Sequence, residues 1–98
     1  MGHENLHERI EVLSTDTQNM HRALISLIEE LEAVDWYNQR VDACEDRELR
    51  AILMHNRDEE KEHAAMLLEW IRRQDSAVDK ELRQYLFTEK SITTMEKE

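Results

Sequence analysis

Apolar residues recur every three or four positions along most of this chain, which is the period of amphipathic helices. Stepping about 100° per residue from residue 15 to 43, Met20, Ala23, Leu24, Leu27, Leu31, Val34 and Val41 fall on one face. A second stripe, Leu49, Leu53, Ala64, Leu67 and Ile71, runs from residue 46 to 73. Both stretches carry start signals. Thr15-Asp16-Thr17-Gln18 has the spacing of a capping box, and Asp46 can cap the second helix with Glu48 in its first turn. Arg72-Arg73 suits the negative end of that helix dipole. Val78, Leu82, Tyr85 and Leu86 predict a third, shorter helix over about residues 77 to 87. Residues 1–13, with Leu6, Ile10 and Leu13 among charges, read as a short amphipathic arm or frayed helical start. The helical unit is residues 14–88, and the polar residues 89–98 read as a flexible tail.

The link between the long helices, Ala43 to Glu45, is very short, so they should lie antiparallel as a hairpin with arms of roughly 40 Å each. A lone hairpin cannot cover an apolar stripe on both arms. Two hairpins can, as a four-helix bundle, so the pattern predicts an all-α protein that dimerises.

Composition narrows the function. One Gly, no Pro and 37% charged residues exclude an all-β or βαβ fold. With 13 Lys and Arg against 23 Asp and Glu, the formal charge is −10, which repels nucleic acid and anionic membranes and favours cations as ligands. No apolar run approaches the ~20 residues of a membrane span. Met1-Gly2-His3-Glu4 lacks the apolar stretch of a signal peptide, so a soluble cytoplasmic protein is expected. The single cysteine, Cys44, allows neither an intrachain disulfide nor a thiolate metal site and is expected to be inert.

Against this background two carboxylates stand out. Glu30 lies three residues after Leu27 and four before Val34, and Glu60 bridges Leu53 to Ala64 and Leu67. A carboxylate on an apolar face is costly unless it is neutralised, paired or metal-bound. Pairing with a neighbouring helix's Arg or Lys, or a slip of the stripe to a wet edge, would account for either one alone. His63 changes the balance. Glu60-x-x-His63 aims a carboxylate and an imidazole the same way from adjacent turns, where one metal ion can take both. A carboxylate-bridged di-iron bundle needs a Glu from each of two helices and a Glu-x-x-His from each of two others, and this hairpin holds one of each. A twofold axis completes the set: four carboxylates and two imidazoles around two metals. Oxygen and nitrogen donors without thiolate suit iron or manganese, although zinc could compete.

Two long segments, Glu29-Glu30-Leu31-Glu32-Ala33-Val34-Asp35-Trp36-Tyr37-Asn38-Gln39-Arg40 and His55-Asn56-Arg57-Asp58-Glu59-Glu60-Lys61-Glu62-His63-Ala64, closely resemble the encapsulated ferritin family. The resemblance covers roughly residues 14 to 88. It implies a ferritin-like two-helix protomer that acts as a ferroxidase, oxidising Fe(II) to Fe(III) at a di-iron site with two irons per dimer. It further implies a ring-shaped pentamer of dimers, a decamer, working inside an encapsulin nanocompartment in the cytoplasm, where the shell stores the iron. By motif position, Glu30, Glu60 and His63 are the expected catalytic iron ligands, Tyr37 and Trp36 their neighbours, and Glu29 with Glu32 a metal-uptake site. The family's usual ending is a short apolar and basic peptide that docks to the shell. Thr94-Met95-Glu96-Lys97-Glu98 departs from it.

Other features stay open at this level. Trp36 and Ile25 form an apolar patch opposite Glu30, as a second interface between dimers would need. Tyr37 could hydrogen-bond a ligand or simply fill the core. His3 and His7 could chelate a metal if their segment is helical, while His21 and His55 read as surface or inter-subunit residues. The alternative to a ferroxidase is a non-enzymatic helical assembly protein in which zinc or calcium staples the dimer. A hemerythrin-like oxygen carrier would need more histidines on the bundle axis.

Overall fold

Two long helices and a short third one make up nearly all the regular structure of the computed structural model, which describes residues 6–97. Helix α1 spans Thr15–Ala43, α2 spans Arg47–Gln74 and α3 spans Ser76–Tyr85. No strand occurs among the described residues, and none of their helices is long and apolar enough to cross a membrane. The start of α1 lies where the pattern put it, but its cap is Ser14 rather than Thr15. The Ser14 hydroxyl oxygen accepts from the Thr17 N–H at 3.1 Å, and the Gln18 Nε2 amide donates back to the Leu13 carbonyl at 3.0 Å. Upstream, the expected amphipathic arm is a single exposed 3-10 turn, Ile10–Val12. His7 lies before it and is exposed outside any helix, and His3 falls outside the described residues, so the helical pair is not formed by the part that is described.

Residues 44–46 reverse the chain between α1 and α2. Three bonds close the turn. The Cys44 N–H donates to the Arg40 carbonyl at 2.9 Å, the Arg50 Nε donates to the Val41 carbonyl at 2.9 Å, and Asp46 Oδ1 accepts from the Leu49 N–H at 2.8 Å. The Arg40 and Val41 carbonyls at the end of α1 and the Leu49 amide in the first turn of α2 are thereby satisfied within the turn. Cys44 keeps a free thiol whose Sγ lies 3.6 Å from the Asp46 carbonyl.

Ala23 and Val41 of α1 and Ala64 and Ile71 of α2 are the buried apolar residues of the two antiparallel arms. Two alanines in this set let the backbones approach closely. Leu24, Leu31 and Leu49, counted in the predicted stripes, remain 44%, 54% and 48% exposed. The reason is geometric: one helix covers a narrow seam on its neighbour, and these stripes are wider than that seam. Further apolar surface stays open along both arms, including Ile28, Trp36, Ile52, Met66 and Trp70. A monomer seldom leaves so much apolar surface uncovered.

One extended residue, Asp75 (φ −132°, ψ 105°), breaks the chain between α2 and α3, and its Oδ1 accepts from the Ala77 and Val78 amides. The angle of α3 on α2 is then fixed by an ionic cluster. Arg72 binds Glu69 through two 2.7 Å contacts and also reaches Asp79; Arg73 joins Glu69 at 2.7 Å and Arg83 joins Asp79 at 3.0 Å. Hydrogen bonds from Arg72 and then Arg73 hold the Glu69 carboxyl at about 2, and Arg72 with Arg83 holds Asp79 below its ordinary range. Carboxyls depressed on folding favour the folded state above their unfolded value, near 4.5 for Glu69, and that contribution disappears as the pH falls toward about 2. Thermal melting followed by circular dichroism should therefore show a drop across that acid window. Arg72→Gln should make the drop shallower, and high salt should shrink it further, because the cluster is solvent-exposed.

The third helix stops at Tyr85, two residues before the expected end. Leu86 is extended and Phe87 turns left-handed at φ 58°, so the chain reverses there. Residues after Thr88 were expected to trail as a polar tail. Instead Thr93–Lys97 forms a 3-10 turn whose Met95 is 1% exposed, with the Gln84 Nε2 donating to the Met95 carbonyl at 2.6 Å. A single methionine in an otherwise polar stretch carries no periodicity, which is why the pattern missed it.

Candidate metal centre

Glu30 lies near the middle of α1 and Glu60 near the middle of α2, and an antiparallel hairpin with so short a turn brings helix midpoints opposite each other. His63 follows Glu60 by one turn on the same helix. The three side chains converge: His63 Nδ1 is 3.5 Å from Glu30 Oε2 and 3.7 Å from Glu60 Oε2. One donor atom from each residue lies within 4.8 Å of the other two, and no other group of three such side chains comes as close among the described residues.

Electrostatics distinguishes this cluster from an ordinary ion pair. Glu30 Oε2 is buried and accepts no hydrogen bond. The Glu60 carboxylate beside it, together with burial, pushes the Glu30 carboxyl above its ordinary value, and the His63 imidazole only partly offsets this. The chain thus holds two carboxyls close together with one buried oxygen that accepts no hydrogen bond, a cost that a divalent cation would remove. Two carboxylates and one imidazole, with no thiolate nearby, form a donor set that suits Fe(II) or Mn(II) and admits Zn(II). His63 is the most open of the three, at 43% side-chain exposure. It faces a groove of about 480 Å³ shared with Arg22, Ser26, Met66, Leu67 and Trp70.

The remaining sequence candidates are not gathered here within one chain. Glu29 and Glu32 are half-buried on α1, and neither belongs to a group of three converging acidic or imidazole ligands among the described residues. Tyr37 is half-buried with the Arg40 guanidinium 5.2 Å from its ring centroid, a cation–π contact, and Trp36 is exposed. His21 is half-buried, and the exposed His55 pairs with Glu59 at 3.3 Å. Two features of the site's surroundings were passed over in the sequence. Met66 and Trp70 follow His63 at the i+3 and i+7 positions of one helix flank and wall the groove, a spacing that could have been read. Arg57 reaches Asn38 across the hairpin at 3.4 Å, a link between arms that helical periodicity alone does not signal.

Fold and cluster together define a ferritin-like helical hairpin that carries a carboxylate-and-histidine cluster able to hold a metal ion. The chain matches the EncFtn-like family over residues 5–89 and belongs to that family. It is 66% identical over 90 residues to an encapsulated ferritin-like protein of Rhodospirillum rubrum, a match covering 92% of this chain and 64% of the relative. A ferritin-like protein of Thermotoga maritima is 54% identical over 95 residues, covering 97% of this chain and 83% of that one. An encapsulin nanocompartment cargo protein, EncC, of Myxococcus xanthus is 36% identical over 69 residues, covering 70% of this chain and 53% of that one. Among solved structures, the crystal structure of protein ne0167 from Nitrosomonas europaea superposes with a TM-score of 0.87 at 70% identity, covering 90% of this chain and 97% of that one.

Proposed function

We propose that this protein is a ferroxidase that takes Fe(II) as substrate at a di-iron site built across a twofold dimer, with each chain contributing Glu30, Glu60 and His63. The observation that carries the reading is the convergence of Glu30, Glu60 and His63, with the buried Glu30 Oε2 accepting no hydrogen bond and lying 3.5 Å from His63 Nδ1. One chain supplies three ligands, too few to enclose two irons. A twofold copy doubles them to four carboxylates and two imidazoles, whose four negative charges balance two Fe(II) ions. Bound iron supplies the redox chemistry: each Fe(II) gives up one electron, and a pair together reduces dioxygen or peroxide by two electrons. The chain's own groups hold the metals and fix their spacing. The short turn and the small seam residues Ala23 and Ala64 set the distance between the arms, and the apolar flank with Met66 and Trp70 would exclude water once covered.

Membership of a family with encapsulated and encapsulin-cargo relatives supports delivery of the ferric product into an encapsulin shell, with the protein working inside that compartment. A ring-shaped pentamer of dimers is the assembly that goes with this reading. Glu29 and Glu32, on the part of α1 turned away from Glu30, would gather Fe(II) for the centre. A protein with a zinc or calcium staple would bind metal and leave Fe(II) unoxidised. Adding Fe(II) without oxygen and then admitting air should therefore produce ferric absorbance in the wild-type protein. Glu29→Ala with Glu32→Ala should change its rate severalfold while two metals per dimer remain, counted by native mass spectrometry. Loss of the centre's metals in that double variant would contradict the division of labour, and no ferric signal in wild type would favour the staple.

A further inference from the structure

We infer that Met66 is an oxidation site of the metal centre: peroxide formed at the centre passes an oxygen atom to the Met66 thioether, and the sulfoxide then loosens the apolar flank beside the ligands. This step rests on the ferroxidase reading and concerns what a product of that reaction does next. Met66 follows His63 by three residues on α2, a spacing that sets Cβ atoms roughly 5–6 Å apart on adjacent turns. Both residues line the groove of about 480 Å³, and of the three proposed ligands only His63 does so. A small molecule leaving the centre on the His63 side therefore enters a groove that Met66 walls. The Met66 side chain is open to it, the residue being 58% exposed within the chain.

The other methionines among the described residues are placed differently. Met54 is also exposed, but it lies nine residues before His63 on the same helix, roughly 13 Å along the axis. Met20 is half-buried on α1 and lines a neighbouring cavity with Asp16, Asn19 and Gln74. Met95 is buried in the return of the chain after α3.

Two Fe(II) ions give one electron each to dioxygen, which takes up two protons and becomes hydrogen peroxide. The Met66 sulfur then supplies the electron pair that breaks the O–O bond. One oxygen stays on sulfur as the sulfoxide, and the other takes both protons and leaves as water. A thioether is a soft, polarizable donor, and an oxidant released beside it acts at a far higher effective concentration than the same oxidant in bulk. The product is polar where the thioether was apolar. It stands beside Leu67 and Trp70 on the flank that keeps water from the ligands once covered, so each oxidation weakens that cover and the centre slows with use.

Peptide mass spectrometry on the assembled protein tests this. Fe(II) is bound without oxygen, and air is admitted with catalase in the buffer, so that peroxide reaching the bulk is destroyed. Met66 should gain one oxygen at about tenfold or more the level at Met54, whereas zinc-loaded protein in air should gain none. Bulk peroxide in place of iron should abolish that preference. Over repeated Fe(II) additions wild type should slow severalfold relative to its first addition and recover after treatment with methionine sulfoxide reductases. Met66→Leu should hold its own starting rate, and Met66→Gln, polar and of similar length, should be slower than Met66→Leu from the first addition. Ferric absorbance is recorded in the same samples. A full ferric signal with Met66 unmodified, with Met54 oxidised as much as Met66, or with Met66→Leu slowing as wild type does would overturn the assignment of Met66 and leave the ferroxidase reading in place. No ferric signal would overturn that reading and the assignment with it.

Discussion

Glu60→Ala should lower the rate of Fe(II) oxidation by more than about 100-fold, since even groups that merely orient a metal ligand cost 10- to 100-fold when removed. The same change should raise the thermal stability of the metal-free protein. Both effects come from one geometry. Glu60 stands beside the half-buried Glu30 carboxyl and, by a shared hydrogen bond and then by its charge, pushes that carboxyl above its ordinary value, so with both groups ionised at neutral pH the folded apoprotein carries a repulsion that the unfolded chain does not. A carboxyl raised on folding favours the folded state below its unfolded value, near 4.5, and that contribution is lost as the pH rises through the folded value. Removing Glu60 relieves the penalty above that point. The window lies on the alkaline side of the one set by Glu69 and Asp79, so the two can be told apart in a single pH series of melting curves. A mere core defect at Glu60 predicts the gain in stability and no loss of oxidation. His63→Ala should weaken iron binding by one nitrogen ligand per metal with little cost to the fold, because that side chain is 43% exposed. Wild-type oxidation rates in both variants would remove these residues from the chemistry.

The second large effect is on assembly. In the proposed centre each chain provides half of the ligands, so iron should bind the dimer and not the separated chains, and mass action should then favour the dimer. Anaerobic Fe(II) at about 100 times its dissociation constant should stabilise the dimer by about 2.7 kcal/mol, roughly 100-fold in the dimer dissociation constant. Size-exclusion chromatography with light scattering, run with and without Fe(II), measures this. Glu30→Gln keeps the shape and removes one charged ligand, so it should reduce the iron dependence. A monomer that holds two irons by itself would refute the shared site.

Much of this was legible in the chain, for identifiable reasons. Asp46, Arg72-Arg73 and the two stripes mark helix ends and faces through local chemistry, and the structure begins and ends α1 and α2 within a residue or so of those marks. Glu30, Glu60 and His63 could be grouped because a short turn fixes how two helices align, and helical spacing then fixes which side chains meet. What escaped was tertiary. Leu24, Leu31 and Leu49 sit on the right helices, yet their exposure depends on how much of a stripe one partner helix can cover. Phe87 reads as the last turn of a helix by pattern, whereas its left-handed backbone follows from the return of residues 88–97 that buries Met95. A contact made by one methionine across a chain reversal has no period to betray it.

The central claim is that two irons share ligands from two chains. Crystals of the assembled protein soaked anaerobically in Fe(II), with anomalous diffraction recorded at the iron edge, test it most directly. The account predicts two iron peaks on either side of a twofold axis, bridged by carboxylates and surrounded by Glu30, Glu60 and His63 from both chains. Iron held within a single chain's cluster, with no ligand from a second copy, or no iron at these residues, would contradict it.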